Sequence, residues 1–346
     1  MIEQTPEAIF IGATFKKEIS MRSTVALIVI VVVTGAAVLA CSGFSARNRG
    51  SNVETKSSTT PSSTGLSQNN SATDEKLAER LRSMIEAAGG DVGLTVIHVE
   101  SGRTVSIHGD IQLPLYSVFK LPLAVAVLKD VEEKRLQLDH KVVTSPTEIV
   151  PGSQENTDLW RKPIERTVAE LLELSISRSD NTSADKLLKL VGGPEAVTNR
   201  MRSLGFPNFM IHSSVSEYVK DRSKVNTGTA SELGRLLVEL QQGHVLQKPQ
   251  LSVLLGFMER ATTGNHRLRG LLPAGTLVAD KTGTGEAGVA TNDVGLITLP
   301  NGGGHLAIAV LIKASKLAPT EQEKLIAELA RVSYEAHLST GESATQ

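Results

Sequence analysis

The sequence predicts an α+β fold: one antiparallel sheet built from both ends of the chain and flanked by helices, with an all-α domain inserted between its halves. Three observations carry this. Strand-like stretches lie near residues 91–108 and again at 276–314, residues 115–260 hold helical periodicity without a convincing strand, and a helix stands outside the strands at each end.

In chain order, "DEKLAERLRSMIEAAGG" places Leu77, Leu81, Met84, Ile85 and Ala88 at helical spacing and stops on Gly89. "VGLTVIHVESGRTVSIHG" reads as two short strands turning at Ser101 and Gly102. The middle reads as helices: "LPLAVAVLKDVEEK", "TVAELLELSISRS", "NTSADKLLKLVG", "GPEAVTNRMRSLG", "TASELGRLLVELQQG" and "PQLSVLLGFMERA". "TLVADKTG", "DVGLITLP" and "HLAIAVLIKA" then read as three strands, and "PTEQEKLIAELARVSYEAH" as a helix opened by a capping box from Thr320 to Glu323. The expected division is an α/β part at 74–114 and 262–340 and a helical part at 115–261. Clefts form where such parts meet, so the first inserted helix and the strand ends are the places to look for chemistry.

With 346 residues and 40% hydrophobic content the chain can bury a sizeable core. Its net charge of −1, without a long block of Lys or Arg, argues against nucleic acid and leaves a small molecule or another polymer as partner. Residues 1–44 read as a targeting segment. The apolar run "VALIVIVVVTGAAVLA" at 25–40 follows Lys16, Lys17 and Arg22 and ends in small residues, the layout of a secretory signal, and Met21 fits a start of translation ahead of it. The run is short for a membrane span, which needs about 20 apolar residues. The sole cysteine, Cys41, ends "VLAC", which resembles the lipobox of bacterial lipoproteins and implies lipidation at Cys41 and an exported domain tethered at the periplasmic or extracytoplasmic face of the membrane. A chain with one cysteine has no internal disulfide, so its stability must come from its core. The Ser-, Thr- and Asn-rich stretch from Ser45 to Thr73 reads as a flexible linker.

The stretch "LYSVFKLPL" sets Ser117 and Lys120 three residues apart, on one side of a helix start, in apolar surroundings. A Ser-x-x-Lys pattern is expected about once by chance in a chain this long, and a second one does occur at Ser183 and Lys186. The first is distinguished by its company: "SDN" at Ser179 to Asn181 and "KTG" at Lys281 to Gly283 follow in order, each a tripeptide found by chance in about one chain in twenty. This trio is the signature of class A β-lactamases and penicillin-binding proteins. From "TVAELLELSISRSDNTSADKLL", "GGPEAV", "RLRGLLPAG" and "VADKTGTG", roughly residues 74–340 resemble a class A serine β-lactamase of the penicillin-recognising superfamily, and "TNDVGLITLPNGGGHLAIAVLI" is most like its extended-spectrum branch. The fold of that family, an α/β domain with an inserted all-α domain, agrees with the segment reading.

The residue types support the same chemistry. A serine hydroxyl needs a base within reach to become a nucleophile, and Lys120 can be that base once burial and a second cation, Lys281, lower its pKa. The backbone N–H of Ser117 at a helix start can help hold an oxyanion. The resemblance implies Thr284 as the second oxyanion donor, Ser179 as proton relay to the leaving nitrogen, and Asn181 as binder of the substrate amide. Lys281, Thr282 and Thr284, beside Gly283, suit the carboxylate that penicillins and cephalosporins carry, with glycine allowing close approach to the backbone. In much of the family an arginine on the next strand joins them. Asn292 stands there in this chain, and Arg267 in "NHRLRG" is the substitute considered, against a surface role.

The resemblance is weakest in the loop between Leu204-Gly205 and Asn226–Thr229, where the family carries the glutamate that activates water for deacylation. The single glutamate in "FPNFMIHSSVSEYVKDRSKV" is Glu217, about two positions late, and Asp221 stands where the family pattern has asparagine. Glu217 is expected as the deacylating base, with Asp221 or a solvated loop charge as alternatives. The eight histidines show no metal-ligand spacing, so neither metal nor cofactor is expected. Trp160, in "TDLWRKP", reads as a packing or cleft-rim residue. The function implied is hydrolysis of a small-molecule β-lactam through a serine acyl-enzyme by a monomeric, exported protein. A D-alanyl-D-alanine peptidase or transpeptidase, or a penicillin-binding lipoprotein that acylates without turnover, stands as the alternative.

Overall fold

The computed structural model describes residues 64–152 and 163–341. The targeting segment with Cys41, most of the linker, and Trp160 lie outside the described residues.

Helix α1, Thr64–Ala88, reaches back into the stretch expected as linker. Once Leu77, Leu81 and Ile85 are packed, the preceding residues extend a helix that already exists and bear none of the cost of nucleating one. Strands β1, Asp91–His98, and β2, Thr104–Ile107, form the predicted hairpin. From the other end of the chain come β7, Val278–Thr284, β8, Ala290–Thr298, and β9, His305–Lys313. All five join one antiparallel sheet in the order β2-β1-β9-β8-β7, so the two chain ends meet where β1 pairs with β9, Asp91 opposite Lys313. Strand β7 lies at the edge of this sheet, and it carries Lys281.

The sheet is buried on both faces. Alternation along β9 divides its side chains: Leu306, Ile308, Val310 and Ile312 face α1 and the C-terminal helix α9, Pro319–Gly341, whereas Ala307, Ala309 and Leu311 face the inserted helices. A strand buried on both faces reads as a continuous apolar run, which is why "HLAIAVLI" shows no polar alternation. The expected Thr320 to Glu323 capping box is not what starts α9. Glu321 accepts from the Ala318 N–H at 3.1 Å, while Glu323 pairs with Arg267.

The insert contains α2, Lys120–Glu132, α3, Val168–Ser177, α4, Asn181–Leu190, α5, Pro194–Ser203, α6, Val215–Lys220, α7, Ala230–Gln241, and α8, Lys248–Glu259. Its second core gathers Leu121, Leu128, Leu171, Leu187, Leu233 and Leu236, all excluded from solvent. The expectation of a strand-free insert is corrected by two small ladders. Strands β4, Lys141–Thr144, and β5, Ile164–Thr167, pair with Lys141 opposite Thr167, and β3, Leu113–Pro114, pairs with β6, Thr227–Gly228. At two to four residues each, they are too short to show a period of two in the sequence.

Candidate active site

The residues singled out by the trio converge from three separate elements. Ser117 lies in a single 3-10 turn, Tyr116–Phe119, running directly into α2, whose first residue is Lys120. The residue before it, Tyr116, has φ +46°, a conformation aromatic side chains rarely adopt and one held here by its surroundings. Two contacts fix this turn. The Leu115 N–H donates to the Asn226 carbonyl at 2.8 Å, and β7 packs so closely that a Cβ on Gly283 would stand 2.4 Å from the Leu115 carbonyl oxygen. The glycine of the Lys-Thr-Gly motif is therefore required by the approach of strand to turn, where the sequence reading assigned it to the approach of a ligand. Gly283→Ala is expected to cost about 1–3 kcal/mol of stability through this overpacking and to slow acylation at Ser117 as well. Thermal melts beside penicillin-labelling rates check it, and an unchanged melting temperature would contradict the packing assignment.

Ser179 sits between α3 and α4 at φ +57°, with Asp180 behind it capping α4 through a 2.6 Å bond from the Ser183 N–H. Lys120 is fully buried, and its Nζ meets four oxygens: the Ser179 carbonyl at 2.5 Å, Asn181 Oδ1 at 2.7 Å, Ser117 Oγ at 3.1 Å and Ser179 Oγ at 3.2 Å. Asn181 is held for this by its own amide, which donates to the Pro151 carbonyl at 3.0 Å. Lys281, also fully buried, donates to Ser179 Oγ at 3.0 Å and to the Thr282 carbonyl at 2.9 Å. The Ser179 hydroxyl thus bridges the two amines. Burial and then the Lys281 charge hold the Lys120 pKa well below the lysine range, against Asp180 and Asp185. Burial also lowers Lys281, to about 8, but the Asp280 and Asp293 charges oppose it. The second Ser-x-x-Lys match separates completely: Ser183 is buried inside α4, and Lys186 is paired with Glu148.

Arg267 does not take a surface role. It is 6% exposed, donates to the Gly283 and Asn292 carbonyls at 3.1 and 2.9 Å and to Thr284 Oγ1 at 2.8 Å, and is braced by Glu323 at 3.0 Å. Asn292 faces the interior, its amide donating to the Pro114 carbonyl at 2.8 Å and its oxygen accepting from the Ile312 N–H at 3.1 Å. Arg267, Thr282, Thr284, Ser117 and Ser179 line one open cavity of about 900 Å³. A second cavity, of about 370 Å³, meets it at Ser117, Asn181 and Thr284 and is walled by Tyr116 and the loop helix α6.

Glu217 is not brought to Ser117. Along α6, Val215, Tyr218 and Val219, at helical spacing i, i+3 and i+4, line the Ser117 cavity, whereas Ser216, Glu217 and Lys220 line a different cavity with Glu148 and Asp185. The Glu217 carboxylate folds back to accept from the Ser214 N–H at 2.8 Å, and Ser214 Oγ accepts from the Glu217 N–H at 3.2 Å. This reciprocal capping bond holds its pKa below the usual glutamate range. The spacing Ser214-x-x-Glu217 carries that cap in the sequence, and reading Glu217 as a base passed over it. Asp221, the alternative, is exposed and accepts from the Ser223 N–H and Oγ at 3.1 and 2.6 Å.

The roles of three residues escaped the sequence reading. Asn226 accepts from the His212 and Ser213 N–H groups at 2.8 and 3.0 Å and ties the loop to the Ser117 turn. Asp185 receives the Val215 and Ser216 N–H groups at 2.7 and 2.9 Å and so anchors the start of α6. Tyr116 meets Tyr218 edge-on, ring centres 6.0 Å apart. Its signal is a backbone angle, which no residue pattern expresses. Among the described residues, no group of three or more His, Cys, Asp or Glu could hold a metal ion.

A hydroxyl facing a buried amine, beside a polar cleft at a sheet edge, defines a serine acyl-transfer enzyme. The chain belongs to the beta-lactamase enzyme family, whose model matches residues 76–337. Among curated relatives, Beta-lactamase VEB-1 of Pseudomonas aeruginosa is 30% identical over 78% of this chain and 92% of its own length. Extended-spectrum beta-lactamase PER-1 of the same organism is 32% identical over 78% of this chain and 89% of its own. Among solved structures, a beta-lactamase from Chitinophaga pinensis superposes with a TM-score of 0.73 at 32% identity, covering 75% of this chain and 99% of that one. The TLA-1 extended-spectrum beta-lactamase superposes with a TM-score of 0.73 at 31% identity, covering 76% of this chain and 99% of that one.

Proposed function

We propose that Ser117 opens the β-lactam ring of penicillins and cephalosporins and carries the resulting acyl group, with water releasing it, so that the protein confers resistance as a serine β-lactamase. Membership of the family supports the hydrolysis, and the observation that carries the assignment to Ser117 is the contact between its hydroxyl and the buried Lys120 amine at 3.1 Å. In this reading Lys120 takes the Ser117 proton, and the bridging Ser179 hydroxyl passes a proton to the ring nitrogen as its bond to the carbonyl carbon breaks. The backbone N–H groups of Ser117 and Thr284 receive the developing oxyanion. The substrate carboxylate lies in the larger cavity, towards Lys281, Thr282, Thr284 and Arg267, and Asn181 receives the substrate amide, whose side chain enters the cavity walled by α6. The site works without a cofactor. The sequence "VLAC" supports export and a lipid anchor at Cys41.

Purified protein mixed with excess benzylpenicillin is expected to destroy many equivalents of the ring per protein, followed by loss of the β-lactam absorbance. Loss that stops at one equivalent or less would overturn this function. Lys281→Ala is expected to lower kcat/KM about 10²-fold for substrates bearing the ring carboxylate, because a partly desolvated charge pair is removed. An unchanged kcat/KM would remove Lys281 from the site.

A further inference from the structure

The two cavities that meet at Ser117 present few groups able to activate water. Among their described lining residues the one carboxylate is Glu286, and it is ion-paired with Arg222 at 2.5 Å on the exposed side. The face of α6 turned towards Ser117 is made of Val215, Tyr218 and Val219. The glutamate of that loop points into another cavity, held by the Ser214 N–H.

The surroundings of Lys120 differ. Its two shortest contacts, the Ser179 carbonyl at 2.5 Å and Asn181 Oδ1 at 2.7 Å, are to oxygens that only accept. They take both N–H bonds of a neutral amine. The lone pair then faces the hydroxyls of Ser117 and Ser179, at 3.1 and 3.2 Å. This orientation is set by acceptors that acylation leaves in place.

We propose that Lys120 serves as the base in deacylation as well as acylation, with no part taken by a carboxylate of the loop. The inference rests on the acyl-enzyme reading given above. Water attacks the ester carbonyl as one of its protons passes to Lys120 Nζ, giving a tetrahedral oxyanion. The bond from the carbonyl carbon to Ser117 Oγ then breaks, and Oγ regains a proton from the Lys120 ammonium. The product acid ionises to solvent, and the free hydroxyl and neutral amine are restored.

The test isolates the second step. Acyl-enzyme formed with benzylpenicillin is freed of excess drug, jumped to a series of pH values, and its decay followed by intact-protein mass spectrometry. The decay rate is expected to rise about tenfold per pH unit and then level off at a single ionisation, that of the base. Glu217→Gln is expected to follow the same curve within about twofold. Asp185 raises the Lys120 pKa, so Asp185→Asn is expected to move the midpoint to lower pH, whereas a base at residue 217, held below the glutamate range, would leave the decay level from pH 5 upwards in parent and variant alike. A decay independent of pH from 5 upwards, a rate about 10²-fold lower in Glu217→Gln, or an adduct that never decays would each overturn the inference. Failure to form any adduct would instead remove the acyl-enzyme reading beneath it.

Discussion

Ser117→Ala is expected to lose at least about 10⁴-fold in β-lactam hydrolysis and to form no covalent adduct, because the step that divides the reaction in two has no nucleophile left. The fold should be untouched. The hydroxyl is partly exposed at a cavity edge and fills no core volume, so the melting temperature should match the parent within error. Ser183→Ala provides the control. Its hydroxyl is sealed within α4, and the variant should hydrolyse penicillin at the parent rate. Full activity in Ser117→Ala, or its loss in Ser183→Ala with the fold intact, would reassign the nucleophile.

The next largest effect is expected at Lys120. Lys120→Met removes the base and should slow labelling by benzylpenicillin about 10² to 10⁴-fold. Lys120→Arg separates proton transfer from charge, since a guanidinium keeps the cation but cannot release its proton. Labelling restored by arginine would mean that Lys120 acts through charge alone. The pH profile of the parent carries the same signature. Acylation needs Lys120 neutral and Lys281 charged, so kcat/KM should rise with pH through the depressed Lys120 pKa and fall again as Lys281 loses its proton near 8. A profile that keeps climbing above pH 9 would remove the Lys281 charge from substrate binding.

Much of this site was legible because its parts are compositional. Serine, lysine and glycine at fixed offsets point to Ser117, Lys120, Ser179 and Lys281, and the apolar runs around them place the motifs on a helix start, a turn and a strand. Geometry that depends on backbone angles was not legible. Left-handed Tyr116 and Ser179 look like any other residue in a string, and the requirement for Gly283 lies across space, at the Leu115 carbonyl. Position along α6 was the harder case. Glu217 was the right residue type in the right loop, but helical phase turns it away from Ser117 and the cap on Ser214 retains it there. Arg267 was legible as a charge yet not as a buried one, because what buries it is Glu323 from α9 and the carbonyls of β7 and β8.

The most direct measurement of the central claim is the location of the covalent bond during turnover. The protein is mixed with benzylpenicillin, quenched in acid while hydrolysis is in progress, digested, and its peptides sequenced by mass spectrometry. The expected result is one penicilloyl group on the peptide containing Tyr116, Ser117 and Val118, with fragmentation placing it on Ser117. A penicilloyl group on any other residue, or continuing hydrolysis with no adduct in the quenched protein, would contradict the account.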